Sequence, residues 1–402
     1  MSGDRGAVLP NTEPRAPNPD SDLCASVADS FRIPRRRATL SAMRILHLLP
    51  AQAPLCAATL ATWRLATRID GGVEHHTWLL GGSDHPWLRH ARQLPGGLLA
   101  APGLIRQAMR LGPADVVMAW SPEVLRAASL IAPRDRTVLA WTTPPTDERE
   151  IRKAARCVAE MVALSPEVVR RIGPIAPTTL IRPGVAGAMF EEKLENLPDA
   201  GELRSRWGAE AGDCVVALLS DPADAADARA GIMALGIACR VLGARRGGAV
   251  RHVLLVHPRQ HRRAVADRLL VEFGGTWRLG QDAQLDRPWE LLHACDAAMV
   301  PAGESHAAAL AWALAAGCPV VMPAPADDGL PVLPVRPGVE RDWADALVQL
   351  LGDSDAAGAL RRDLGGRGRA WASGHLSVER AREQWLKRWR DTASHAAGAG
   401  KN

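Results

Sequence analysis

The 402-residue chain contains no tyrosine, three phenylalanines and 13 tryptophans. A core with so few aromatic rings must be filled mainly by Ala, Leu and Val, with tryptophan as the occasional large side chain. The seven cysteines, Cys24, Cys56, Cys157, Cys214, Cys239, Cys295 and Cys318, include no CxxC pair. That excludes a zinc ribbon or a CxxC redox motif, and an odd, scattered set fits buried thiols in a reducing compartment. No apolar run reaches the ~20 residues that a membrane-spanning helix requires. The longest candidate, 307–322, is broken by Gly317 and Pro319 and reads as a helix followed by a strand. No apolar segment follows a basic start near the N-terminus, so no secretory signal is evident and a cytoplasmic location is expected. RNP, zinc-finger and helix-turn-helix patterns are lacking too, which argues against a nucleic-acid partner.

What is present is an ordinary globular composition, 47% hydrophobic and 23% charged, which argues against disorder as the main state. The net charge of +5 is mild, and its arginines are spread along the chain. Such a surface is solvated, with no more than a weak peripheral attraction to anionic membranes or phosphorylated substrates.

Residues 1–42 are rich in Pro, Arg, Ser and Asp without hydrophobic period and read as a disordered leader. Met43 is followed at once by a buried-strand pattern, Arg-Ile-Leu-His-Leu-Leu-Pro, so translation from Met43 is an alternative start. From there strands are expected at 45–49, 77–80, 115–120, 137–141, 158–164 and 178–181. Helices are expected at 57–69, 98–111, 123–131 and 166–172. After Pro183-Gly184 the acidic, poorly periodic stretch 191–201 reads as a linker. The alternation then restarts, with strands at 214–219, 253–256, 277–279, 297–300 and 319–322. Helices are expected at 230–242, 262–273, 289–294 and 307–316, and three more close the chain at 343–351, 357–372 and 378–390. Strands alternating with helices imply parallel sheets covered on both faces, with ligands beyond the carboxyl ends of the strands.

Several segments fall in the order and spacing of a known family. Met43-Arg44-Ile45-Leu46-His47 is similar to its opening strand, and Asp115 to Ser121 to its "DVVHAHS" strand. Thr179-Leu180-Ile181-Arg182-Pro183-Gly184-Val185, with Phe190 beyond, is similar to its "VIPNGVDxxxF" hinge. The best match is Trp289 to Pro301, against "LPELYAAADVFVLPS", followed by Glu304 and a helix ending in Ala315-Ala316-Gly317-Cys318-Pro319-Val320-Val321, against "AAGxPVV". In these segments the chain resembles the group 1 (family 4) glycosyltransferases.

The resemblance implies an α/β GT-B fold, two Rossmann-like domains with parallel sheets facing across a cleft. It divides the chain into an acceptor domain (43–190), a linker (191–201), a donor domain (202–376), a helix crossing back to the first domain (377–392) and a disordered tail (393–402). It implies a hexosyltransferase-type enzyme of polysaccharide biosynthesis. Such an enzyme moves a sugar from a nucleotide-sugar co-substrate to a carbohydrate or lipid-linked acceptor, with retention, without metal and without a cofactor. Glu304 is then the catalytic residue beside the donor sugar. Arg229, Gly231, Leu279, Gly280, Ser305, His306, Ala307 and Ala308 are the donor-binding residues. The residues fit that role on physical grounds: a helix N-terminus presents unpaired N–H groups to a diphosphate, and small side chains permit close approach. The acceptor is expected near 50–57, Trp120 and Thr142.

The chain departs from the family at specific places. The family's second glutamate, eight positions after the first, is Trp312, which cannot accept a hydrogen bond from a ribose. Its Gly-Arg and Lys-Gly pairs, which neutralise the leaving diphosphate, read Ser220-Asp221 and Ala230-Gly231, with Arg229 one residue away. The glycine-rich loop after the first strand reads Gln52-Ala53-Pro54-Leu55-Cys56-Ala57. These departures keep a second reading open, a catalytically degenerate GT-B protein that acts as a binding or scaffold partner. A different GT-B activity, such as an epimerase, stays open on fold grounds. Glu74-His75-His76 with His85 and His90 form no His-Glu-x-x-His arrangement, and His257 and His261 are four apart but separated by Pro258, so both sets read as structural histidines rather than a zinc site. Ser121 and Ser165 have no Ser-His-Asp context.

Overall fold

The computed structural model describes residues 42–50, 57–69, 72–81, 91–94, 101–142, 145, 147–185, 199–219, 225–246, 252–256, 277–281, 291–303, 307–325 and 329–399. Seven strands form the first sheet: β1 (Met43–Pro50), β2 (Val73–Leu80), β3 (Arg92–Leu94), β4 (Val116–Ala119), β5 (Thr137–Trp141), β6 (Glu160–Ala163) and β7 (Thr178–Leu180). Their order is β3-β2-β1-β4-β5-β6-β7, and every pairing is parallel. The second sheet holds β8 (Cys214–Leu218), β9 (His252–Val256), β10 (Trp277–Gln281), β11 (Ala297–Met299), β12 (Val320–Pro323) and β13 (Leu333–Val335). Its order, β10-β9-β8-β11-β12-β13, repeats that of the first, again all parallel. In each sheet the chain starts at the centre, winds to one edge, returns and builds the other side. The direction reverses between β1 and β4, and between β8 and β11. Two sheets of this doubly wound kind confirm the expected pair of Rossmann-like halves.

The central strands are apolar throughout because both of their faces are covered. On one face of the first sheet Ile45, Leu49, Met118, Val138, Ala140 and Val162 pack under α1 (Ala57–Ala66) and the last helix, α11 (Val378–Ala399). The alternate residues, among them Leu46, Leu48, Val117, Leu139 and Met161, face α2 (Ala101–Leu111), α3 (Leu125–Ile131), α4 (Glu148–Cys157) and α5 (Pro166–Ile172). In the second sheet Ala217, Leu255, Ala298 and Val320 face α6 (Ala200–Arg206) and α8 (Ala307–Ala316). Val216, Leu218, Leu254 and Met299 face α7 (Ala225–Arg246), α9 (Glu340–Leu351) and Leu364 of α10 (Asp355–His375). Trp120, Trp141, Trp385 and Trp389 are the largest fully buried side chains, so tryptophan does supply the bulk that Tyr and Phe do not. No described helix is long and apolar enough to cross a membrane.

All ten residues of α8 are buried, because the helix lies between its own sheet, α10 and the first domain, where Ala307 joins the core under α11. The helix ends at Gly317, whose φ of +70° suits a residue without Cβ. Cys318 N–H donates to Ala313 O (2.9 Å) and Gly317 N–H to Leu314 O (3.0 Å), the paired bonds of a Schellman motif. Gly365 of α10 crosses at that point, so close that a Cβ would stand 2.5 Å from Gly317 O.

Several elements differ from the sequence expectation. α4 was not expected, because only Ile151 and Ala154 turn inward and its other positions are mostly charged. It starts at Asp147, whose side chain accepts from Arg149 N–H (2.9 Å). α6 begins inside the expected linker. Asp199 caps it, and Arg204 fastens it to the sheet by donating to Asp296 Oδ2 (2.9 Å), Ala294 O (3.1 Å) and Asp213 O (2.6 Å). The short edge strands β3 and β13 carry too few residues to show a period. The helix expected at 289–294 is a single 3-10 turn, Leu292–Ala294, with 289 and 290 outside the described residues. α11 continues to Ala399, so residues 393–399 are helical and not a disordered tail; Ala396 is buried and extends the apolar face of the helix. The leader 1–41 and the helix expected at 262–273 lie outside the described residues.

Candidate functional site

In a doubly wound sheet, loops at the carboxyl ends of the two strands flanking the reversal diverge and leave a crevice for a ligand. In the second sheet those strands are β8 and β11, joined at their ends by Leu219 N–H donating to Met299 O (2.8 Å). Beyond Met299 the chain turns through Gly303, whose φ is +57° and whose N–H donates to Val300 O (2.9 Å). Glu304, Ser305 and His306 follow directly and lie outside the described residues, as do 220–224 after β8. The described residues bracket the three, with Gly303 before them and the start of α8 after.

The remaining predicted residues have definite places. Ala307 and Ala308 open α8 and are buried, Ala307 in the first domain's core and Ala308 in the second's. Their small size is used by this packing. Gly231 lies in α7 against the end of β8, where a Cβ would stand 2.8 Å from Leu218 Cδ1, so the glycine lets helix and strand approach. Arg229, two residues earlier, is exposed. Leu279 and Gly280 belong to edge strand β10; register through Leu255 sets Gly280 level with Ala217 of β8 and Ala298 of β11. At a spacing of about 4.8 Å per strand, β10 is two strands, roughly 10 Å, from β8. The sheet therefore brings Gly231 to the reversal point and leaves Leu279 and Gly280 to one side.

Trp312 is 4% exposed and belongs to the core of the second domain. It is a packing residue, not a group that lines an open site. In the first domain, Trp120 is a correction to the expected acceptor face. It is fully buried, its ring packs against α11, and its Nε1–H donates to His47 Nδ1 (3.1 Å). Thr142 is buried at the end of β5, and 51–56 lie outside the described residues.

Ser165 follows β6 and caps α5, accepting from Val168 N–H (3.2 Å) while 1% exposed. Ser165→Ala leaves that amide unpaired in a dry place and is expected to lower stability by about 1–2 kcal/mol, read from the urea midpoint. Ser165 also borders a small open pocket of about 30 Å³ between the halves, lined by Arg182, Leu310, Leu314 and Trp371. There the Arg182 guanidinium sits 5.1 Å over the Trp371 ring, which stacks on His375 at 4.6 Å. A larger groove of about 910 Å³ lies at the amino ends of β5–β7, where Arg388 pairs with Glu160 (3.1 Å). That is the opposite end of the first sheet from its own reversal point, at the carboxyl ends of β1 and β4.

In the sequence His75 groups with Glu74 and His76, and His47 is one position of the opening strand; the fold brings these two histidines together. His47 and His75 are hydrogen-bonded inside the first domain, and His76 instead pairs with Glu74 (2.9 Å). The available signal was His47 on a strand whose neighbours are all apolar. His85, His90, His257 and His261 lie outside the described residues. Burial pushes the thiols of Cys239 (to about 12), Cys295 and Cys318 up, so they stay protonated and pack as hydrophobic side chains.

Two doubly wound parallel sheets in series, linked by an interdomain helix packing, define the GT-B fold. The sequence matches no protein-family model, and no curated protein is similar to it in sequence. Solved structures share the fold. HepE from Anabaena in complex with UDP and glucose is 17% identical with a TM-score of 0.63, over 87% of this chain and 100% of that one. A glycosyltransferase from Rickettsia africae is 12% identical with a TM-score of 0.64, over 87% and 98%. The α,α-trehalose 6-phosphate synthase of Burkholderia multivorans is 12% identical with a TM-score of 0.58, over 88% and 100%.

Proposed function

We propose that this chain is a hexosyltransferase-type glycosyltransferase that moves a sugar from a nucleotide-sugar donor to a carbohydrate or lipid-linked acceptor in the cytoplasm. The observation that carries the reading is the GT-B arrangement itself, shared over nearly the full chain with HepE, which was solved with UDP and glucose. In that arrangement the chain leaves β11 at the reversal point of the second sheet, where a ligand is expected, and Glu304 follows Gly303 in the sequence. On this reading Glu304 acts beside the donor sugar, and the amides of 305–308 with Arg229 face its diphosphate. Transfer proceeds with retention and without a metal, as the sequence resemblance implies.

Binding to the native state raises apparent stability. A thermal-shift screen of UDP-, GDP- and ADP-sugars is expected to find one donor that stabilises the chain by about 2.7 kcal/mol at a hundred times its Kd. A broad panel with neither a shift nor turnover would sink the proposal. Glu304→Ala is expected to lower turnover about a hundredfold, ~2.7 kcal/mol of barrier, with little change in folding.

The second reading, a GT-B protein acting as a binding partner, is favoured by one observation. Trp312 stands where the family has its second glutamate, and it is spent on the core. The same variant separates the two readings: an enzyme loses turnover, whereas a scaffold has none to lose and keeps its partner.

A further inference from the structure

Within the largely apolar core between the first sheet and α11, His47 and His75 form a hydrogen-bonded pair. His47 is fully buried in the middle of β1. Its Nδ1 lies 3.1 Å from Trp120 Nε1, its Nε2 lies 2.9 Å from His75 Nδ1, and His75 Nε2 lies 3.0 Å from Ile69 O. An indole N–H can only donate and a carbonyl oxygen can only accept. Those two ends leave one assignment. Trp120 donates to His47 Nδ1, His47 Nε2–H donates to His75 Nδ1, and His75 Nε2–H donates to Ile69 O. Both rings are neutral, and every ring nitrogen is engaged. A further proton on His47 would face the Trp120 N–H, and one on His75 would face the His47 N–H. Either proton must break a bond in the chain.

α11 rests on this pair. Trp389 meets His75 edge to face with centroids 5.6 Å apart and His47 likewise at 6.1 Å, while Trp385 packs on Trp120 at 5.6 Å. The buried Nε1 atoms of Trp385 and Trp389 have no hydrogen-bond partner among the described residues, so the two indoles hold by packing. Among the described residues His47 bonds to Trp120 and His75 and to no carboxylate. On β1 and β2, Glu74 is engaged by Arg44 (3.2 Å) and His76 (2.9 Å) toward the amino ends of the strands. α1 brings Arg64, the turn after it Arg68, and α11 brings Arg382 and Arg388, the latter paired with Glu160 of β6. β4, β5 and α8 bring Met118, Trp120, Val138, Ala140 and Ala307. Burial, then the neighbouring His75 and His76, hold the His47 pKa well below the ordinary histidine value.

We propose that the His47–His75 pair is an acid-sensitive clasp: a proton taken up by either imidazole breaks the hydrogen-bond chain under Trp389 and releases α11 from the first sheet. The sign follows from linkage. With α11 released, the His47 ring loses the burial that depresses its pKa, so the released form binds more protons than the docked one. The His47 contribution to docking is fully present above about pH 6.5 and weakens as the pH falls, about tenfold per pH unit for that one proton, until the docked-state pKa of His47 is reached. Release frees one of the two passages between the halves. The other, through Arg182–Val185, touches it where Val185 N–H donates to Leu376 O (2.9 Å).

The test is hydrogen exchange of the full chain at pH 7.5 and 5.5, corrected for intrinsic rates. Protection across 385–396 is expected to fall at least about tenfold while β4 and β5 stay protected. His47→Phe with His75→Phe should remove that fall, and His76→Gln should keep it. Unchanged protection at pH 5.5, or a fall that survives the double substitution, overturns the proposal. Should the double variant not fold, ¹⁵N shifts of the wild-type histidines decide. Protonation of His47 or His75 in step with the loss of protection supports the clasp. Protonation without that loss, or loss with both rings neutral, overturns it.

Discussion

Gly365→Val is expected to destabilise the chain by about 3 kcal/mol or more. At this position α10 crosses the carboxyl end of α8, and a Cβ would stand 2.5 Å from Gly317 O. That oxygen is main chain and cannot rotate aside like the tip of a flexible side chain. Gly317 itself is held at φ +70° by the two bonds that close α8. Relief therefore requires moving α10 away from α8, which opens the core around Leu314 and Gly368. The neighbouring Gly366→Ala is the control. Its Cβ would meet nothing within 4 Å, so it should stabilise by up to about 1 kcal/mol through helix propensity. Urea midpoints of both variants check this, and equal effects at 365 and 366 would refute the crossing as the cause.

Trp389→Ala is expected to cost about 3–5 kcal/mol, the range for emptying a fully buried large aromatic site. Its ring packs on His47, His75 and Trp385, all of them within the same core. The site cannot close easily, because β1 and β2 on its floor are fixed by their parallel pairing. Trp389→Phe should cost less, since the Nε1–H has no hydrogen-bond partner among the described residues and only volume is lost. Denaturant unfolding of both variants measures the difference; a Phe variant as unstable as the Ala variant would show that the indole N–H matters.

Much of the architecture is readable in the sequence because it follows short-range period. Strands such as Thr137–Trp141 and helices such as Pro166–Ile172 and Ala307–Ala316 announce themselves by runs of apolar residues bounded by Pro, Ser or Gly. α4 does not. With two inward residues in ten, it takes its stability from the Asp147 cap and from packing that local pattern does not display. β3 and β13, three residues each, are strands only because a longer neighbour pairs with them.

The candidate site divides along the same line. Its outline, a loop after β11 leading into a helix, is written in consecutive residues. What its side chains do is not. Gly231 and Ala308 have the small size expected of residues that admit a ligand, yet their neighbours are Leu218 and the second domain's core. Small size is compatible with either use, and only the packing partner decides between them.

The sequence by itself determined the alternation of strands and helices and the two-halved GT-B plan. Periods of two and 3.6 residues are local, so they survive in a linear reading. The tertiary structure alone decided that Trp312 and Trp120 are core residues, that Gly365 is a crossing point, and that His47 and His75 form a pair. The partners of His47 stand 28 and 73 positions away along the chain. Such contacts arise only when β1, β2 and β4 come side by side and α11 closes over them, and no local pattern encodes which side chains then meet.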